Sequence, residues 1–162
     1  MRFVGIDPST KTGLVILSDD EVITAEEIKT NHKKDPIRFM HIAEQVISRL
    51  KRKDVIAIEG FSYGSRGKGV SVQYGIGWMI RAELYRAGYP YIEVSPGGLK
   101  KFATGKGNTK KEEMILPIYK RWGFEHNSDN VRDAFVLAKI AEATKKEVEL
   151  TKFQKDVLKK VG

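Results

Sequence analysis

Val55-Ile56-Ala57-Ile58 is the stretch that leaves this chain the least choice of fold. Four apolar residues without interruption, ending at Glu59-Gly60, read as a strand covered on both faces. The stretch before it has a helical period. Ile37, Met40, Ile42, Ala43, Val46, Ile47 and Leu50 recur on one face, after an Asp35-Pro36 pair suited to an N-cap and first helical position. Ahead of that helix come strand-like runs at residues 2–6, 14–17 and 21–28, the first two joined by the turn formers of Asp7-Pro8-Ser9-Thr10-Lys11-Thr12-Gly13. A strand reached from a meander through a helix lies parallel. The sequence therefore predicts a mixed α/β sheet.

Downstream, four glycines interleave with Phe61, Tyr63, Arg66 and Lys68 between Gly60 and Gly69, a composition that reads as a basic loop. A helix over about Ser71–Ala87, a strand at Tyr91–Val94 and a short helix opened by Pro96 follow. Asn108 or Thr109 is expected to cap a helix reaching about Arg121, Ser128 the next through about Thr144, and Thr151–Val161 reads as a short amphipathic helix. The order βββαβαβ followed by helices predicts one five-stranded sheet, a three-strand antiparallel meander plus parallel strands, with helices on both faces. With 162 residues and no linker-like tract, the expectation is a single domain over 1–162, with 147–162 as a terminal helical extension.

Composition narrows the chemistry. The chain has no Cys, which excludes disulfide frameworks, thiolate metal sites and cysteine nucleophiles and suits a reducing cytoplasm. Its N-terminal apolar run is too short for a signal peptide, and no stretch approaches a membrane span, so no membrane role is expected. The formal charge is +8, and its distribution is uneven: residues 1–59 carry 10 basic and 10 acidic groups, 60–111 carry 9 and 2, and 112–162 carry 10 and 9. One central third is thus the expected anion-facing surface.

Acids end both of the first buried strands. Side chains alternate along a strand, so Phe3, Gly5 and Asp7 share a face, as do Val55, Ala57 and Glu59. If the strands are neighbours, Asp7 and Glu59 meet; otherwise they are solvated beyond the sheet edge, or Asp7 forms an Asx turn with Ser9. Asp129 and Asp133 lie four apart on one helix face, in line with Val136, Leu137, Ile140 and Ala141. The helix dipole accounts for an acid at Asp129, in the first turn, but not at Asp133. Carboxylates gathered together need a compensating cation, and an all-oxygen donor set without Cys selects Mg2+ or Mn2+. A pair of such ions beside a basic surface suits hydrolysis of a phosphodiester backbone.

Gly5-Ile6-Asp7-Pro8-Ser9 with Gly13, Ile58-Glu59, and Asp129 with Asp133-Ala134 together resemble the RuvC family of Holliday junction resolvases, within the ribonuclease H-like superfamily. The resemblance is collinear over roughly residues 1–144, and its glycine-rich insertion is closer to bacteriophage-type members. Gly75 and Gly105-Lys106-Gly107-Asn108-Thr109-Lys110-Lys111 are similar to the family's glycine-containing helix and its Gly-x-Gly segment with a functional lysine. The resemblance implies a ribonuclease H-like fold and a homodimer that nicks opposed strands of a four-way DNA junction, with two Mg2+ per site, Mn2+ substituting, and no nucleotide cofactor. It implies Asp7, Glu59, Asp129 and Asp133 as metal ligands. In much of the family the first acid of the last pair lies three residues before the second; here Asn130 stands in that place and Asp129 is one residue earlier, so the third ligand is open between them, with Asp129 assigned.

By the same resemblance Lys111 stands near the scissile phosphate, with Lys110 as its alternate. Tyr63, Arg66 and Lys68 reach the junction centre, and Lys100, Lys101 and Lys106 extend a phosphate track. The alternative for each of these is a solvated surface residue. Trp78 and Trp122 read as core or dimer contacts, His126 as an ordinary helix-flanking residue, and Gly75 with Gly77 as a place of close helix approach, across a dimer two-fold for example. Rival readings are a nuclease for other branched DNA or RNA–DNA hybrid, and an inactive junction-binding protein. An actin-like ATPase needs two such domains and does not fit.

Overall fold

Both faces of the first strand are apolar, and both are covered. In the computed structural model, which describes residues 1–162, β1 (Arg2–Asp7), β2 (Thr12–Ser18) and β3 (Glu21–Ile28) form the antiparallel meander. The crossover helix α1 (Ile37–Arg49) then delivers β4 (Val55–Glu59) parallel to β1. After α2 (Val70–Arg86), β5 (Tyr91–Val94) joins parallel to β4, giving one sheet of order β3-β2-β1-β4-β5. The chain continues through α3 (Pro96–Thr104), a 3-10 turn (Lys111–Met114), α4 (Ile115–Trp122), α5 (Asp129–Lys145) and α6 (Lys152–Leu158). No helix is long and apolar enough to cross a membrane.

Strand alternation divides the core in two. Phe3, Val15, Leu17 and Ala57 face α5 together with α3, α4 and α6, whereas Val4, Ile6, Ile16, Ile56 and Ile58 face α1 and α2. Helix α5 comes close to β1 and β2 where those strands have glycine on the facing side, at Gly5 and Gly13. A Cβ at Gly5 would collide with the Ala134 carbonyl and the Ala138 amide nitrogen, and one at Gly13 with the Asn130 carbonyl. These two glycines set the height of α5 over the sheet and so the place of every side chain on its first two turns.

Local chemistry departs from the sequence expectation at several ends. Pro36 is itself the cap residue of α1, and the Asp35 carboxylate accepts from Arg38 Nε and Nη2 at 2.7 and 2.9 Å instead of capping backbone. Neither Asn108 nor Thr109 caps the next helix. The Thr109 hydroxyl is turned inward to the Lys106 carbonyl (2.8 Å) and the Thr104 hydroxyl (2.7 Å), and the chain passes through the 3-10 turn before α4 begins. Ser128 does cap α5, its Oγ accepting from the Val131 amide. The last helix stops at Leu158, short of Val161, and the chain beyond it runs back to β5, where the Glu93 amide donates to the Gly162 carbonyl at 2.8 Å.

The glycines of α2 serve approaches within the chain. A Cβ at Gly75 would stand 2.5 Å from the Phe39 ring on α1, and one at Gly77 2.5 Å from the Phe61 ring. A dimer two-fold is not needed to account for either. Trp122 packs on the core, stacked on Phe102, but Trp78 is 58% exposed and touches Phe61 at the surface.

Candidate metal centre

The parallel register of β1 and β4, with Phe3 beside Val55, Gly5 beside Ala57 and Ile6 beside Ile58, carries both strands to an acid at the same level. Asp7 and Glu59 emerge there on the face that α5 covers. Asp133 directly precedes Ala134, the residue seated on Gly5, so the close helix–sheet approach delivers a third carboxylate to the same point. Oxygens of Asp7, Glu59 and Asp133 lie within 4.8 Å of one another. Asp7 is only 7% exposed, which removes the alternative of a solvated acid at the sheet edge. The Asx turn is absent too: the Ser9 amide donates to Thr12 Oγ1 at 3.2 Å, and Thr12 closes the turn.

Three carboxyl groups so placed resist ionisation. Burial, then the charges of Glu59 and Asp133, holds Asp7 well above the usual carboxylate range. Burial raises Glu59 as well, opposed first by its hydrogen bond with Asp7 and then by the charges of Lys111, Lys100 and Arg81. Asp133 is pushed up to about 7, by burial first and by the Glu59 charge second. Protons or a hard cation would relieve this strain, and an all-oxygen cluster is the donor set that Mg2+ and Mn2+ take.

Asp129 lies outside that cluster. Its Oδ2 accepts from Lys111 Nζ at 2.7 Å at the rim of the site, an ion pair that lowers the Asp129 pKa and raises that of Lys111. Asn130 points elsewhere: its side-chain amide donates to Ser9 Oγ (3.2 Å) and the Lys11 carbonyl (2.9 Å), pinning the start of α5 to the β1–β2 turn. Between the two candidates for the third ligand place, Asp129 is therefore the one left on the site's side.

Of the cationic residues singled out in the sequence, Lys100 is near enough to act on Glu59, and Lys106 and Lys110 are exposed. Lys101 instead faces α6, 4.0 Å from Asp156. Arg66 and Lys68 are exposed on the Gly60–Gly69 loop, and Tyr63 is 82% exposed there, its ring 6.3 Å from Phe61 and 6.4 Å from Tyr74. His126 is occupied locally, its Nδ1 accepting from the Ser128 amide and its ring stacked on Phe124. Sequence reasoning passed over the tie made by Asn130, and also Arg81, a buried cation bonded to the Glu59 carbonyl. An arginine between Ile80 and Leu84 on an otherwise apolar face was the available signal for the second.

No family model matches the chain. Among relatives, the crossover junction endodeoxyribonuclease RuvC of Ehrlichia chaffeensis is 31% identical over 128 residues, covering 74% of this chain and 81% of the relative. That of Carboxydothermus hydrogenoformans is 26% identical over 151 residues, covering 85% and 93%. The solved structure of Thermus thermophilus RuvC superposes with a TM-score of 0.67 at 23% identity, over 85% of this chain and 91% of that one. The same protein in complex with Holliday junction substrate gives 0.63, over 85% and 90%. Those structures share the fold, and the Ehrlichia relative reaches further: the chain belongs to the RuvC family of crossover junction endodeoxyribonucleases.

Proposed function

We propose that this chain resolves four-way DNA junctions by metal-dependent hydrolysis of phosphodiester bonds on opposed strands. The observation that carries the reading is the convergence of Asp7, Glu59 and Asp133 within 4.8 Å, with Lys111 and Lys100 near enough to act on them. Asp7, Glu59 and Asp133 would hold two divalent cations, Mg2+ or Mn2+, with Asp129 as the fourth ligand at the rim. When bound, the ions lower the pKa of water and neutralise phosphate charge, the two contributions that in-line hydrolysis requires.

The chain's own residues do the rest. Lys111, paired with Asp129 at 2.7 Å, offsets the carboxylates' charge while the site waits and offers its ammonium to the scissile phosphate when DNA arrives. Lys100, Lys106 and Lys110 fix the backbone beside it without reading sequence, and Lys101 is the outlying member of that track. Tyr63, Arg66 and Lys68 on the loop reach the branch point, the ring stacking on an unpaired base and the cations meeting phosphates. Paired nicks need two sites, and α2 supports a homodimer by leaving Trp78 and Tyr85 58% and 85% exposed. A single nuclease domain over 1–162, working in the cytoplasm where its DNA lies, completes the reading.

The test is a labelled four-way junction incubated with and without Mg2+ or Mn2+, beside flap, duplex and RNA–DNA hybrid substrates, comparing the unmodified chain with Asp7→Asn and Glu59→Gln. Symmetric nicks on the junction alone, lost in both variants while junction binding persists, are expected. Preferred cutting of another substrate would redirect the reading to branched DNA or hybrid, and binding without nicks would make the chain a junction-binding protein.

A further inference from the structure

Arg81 is 2% exposed, and a guanidinium keeps its charge in any protein, so it is stable there only if its donors are paired. Its pairs converge on one place. Nη2 donates to the Glu59 carbonyl at 2.9 Å, Nη1 to the Gly77 carbonyl at 3.0 Å and Nε to Glu93 Oε1 at 2.6 Å. The guanidinium carbon lies 4.3 Å from the centroid of the Phe61 ring, at the root of the Gly60–Gly69 loop. Gly77 makes the room: a Cβ there would stand 2.5 Å from that ring and 3.3 Å from Nη1. With Asp7, Glu59, Phe61 and Gln73, Arg81 lines a cavity of about 60 Å³.

The peptide joining Glu59 to Gly60 is thereby held at both polar ends. Its carbonyl accepts from Arg81, and its amide donates to the Val94 carbonyl at 2.7 Å. A peptide plane pinned on both sides fixes the Cα–Cβ direction of Glu59, and a ligand set works only when its members are held to within about 0.5 Å. We infer that Arg81 is a positioning residue: it aims the Glu59 carboxylate into the cluster and seats the root of the loop through the Phe61 ring. This rests on the nuclease reading above, and extends it to a residue that touches neither metal nor DNA. A lysine has no planar fork to span the three acceptors, and Glu93, whose side chain is 44% exposed, anchors the arginine from the outer side.

The experiment compares Arg81→Met, Arg81→Lys and Glu93→Ala with the unmodified protein and Glu59→Gln. It reads Mn2+ affinity without DNA, kcat and KM on a four-way junction, and Tm. Arg81→Met should lower Mn2+ affinity and kcat together by about 10–100-fold, the usual effect of removing a group that orients a ligand, with KM nearly unchanged. Glu93→Ala should move the same two quantities in the same direction by less, and Arg81→Lys should recover part of the loss. A folded Arg81→Met, or Glu93→Ala where that variant does not fold, with unaltered Mn2+ affinity and kcat would overturn the inference, as would a fall in Tm alone. Failure of the unmodified protein to cut, or full cutting by Glu59→Gln, would sink the nuclease reading instead, while the Mn2+ titration still decides the role of Arg81.

Discussion

Asp133→Asn should make the metal-free protein more stable at pH 8 while removing its activity. In the folded chain the Asp133 carboxyl titrates at about 7, against an ordinary 3.8. Between those values the folded state holds a proton that the unfolded state has released, so stability falls as pH rises through the window, and the full cost is present above it. Each unit of pKa is about 1.4 kcal/mol, and three units set a ceiling of about 4 kcal/mol. Asparagine never ionises, which removes this cost. Its amide was not provided for, however, and an unmatched buried amide takes back about 1–3 kcal/mol. A net gain of about 2 kcal/mol remains, or roughly 4–8 °C in Tm for a chain of this size.

Burial enforces the effect first, and then the charges of Glu59 on β4, Asp129 on α5 and the coupled Asp7 on β1, opposed by Lys111 and Arg132. Thermal unfolding of both proteins in EDTA from pH 4 to pH 8 is the assay. At the acid end, as Asp133 becomes protonated in both states, the variant should be the less stable by the cost of its amide, and the difference should reverse in its favour as pH rises to about 7. Adding Mn2+ at pH 8 should raise the Tm of the unmodified protein more than that of the variant, since only the former keeps the third carboxylate. A variant no more stable than its parent at pH 8, or a difference that does not change with pH, would refute the claim that these acids are held together against their own repulsion.

Three further outcomes are expected. Lys111→Ala should reduce kcat by about 100-fold with little change in junction affinity, the pattern of a group that acts on charge developing in the transition state; equal losses in both would make it a backbone contact. Gly5→Ala should lower Tm by several degrees, since its methyl group meets the Ala134 carbonyl and overpacking typically costs about 1–3 kcal/mol, and a silent substitution in a melting experiment would show that α5 sits higher than described. Junction affinity should fall steeply with salt, and replacing Lys100, Lys106 and Lys110 by Ala should flatten the log–log slope by about 2–3 units, close to one for each phosphate no longer neutralised, as measured by fluorescence anisotropy.

The sheet was legible because strand alternation fixes direction. Once Val55–Ile58 is parallel to the first strand, Asp7 and Glu59 have to share a face, and the register bears this out. The helix pair was legible only as a row. Asp129 and Asp133 do lie on one side of α5, but the four residues of helix between them amount to about 6 Å along the axis. Which of the two reaches the strand acids depends on where the axis is stopped, and that is set by bare backbone at Gly5 and Gly13, whose partners on α5 are more than a hundred residues away. Stopped there, the helix presents Asp133 to the strand acids and leaves Asp129 within reach of Lys111. Arg81 was hidden for the same reason: its acceptors come from β4, β5 and its own helix, and no local period of α2 records what the sheet places opposite. Periodicity thus assigns each acid to a face, and contacts between distant backbones decide which acids on that face can share an ion.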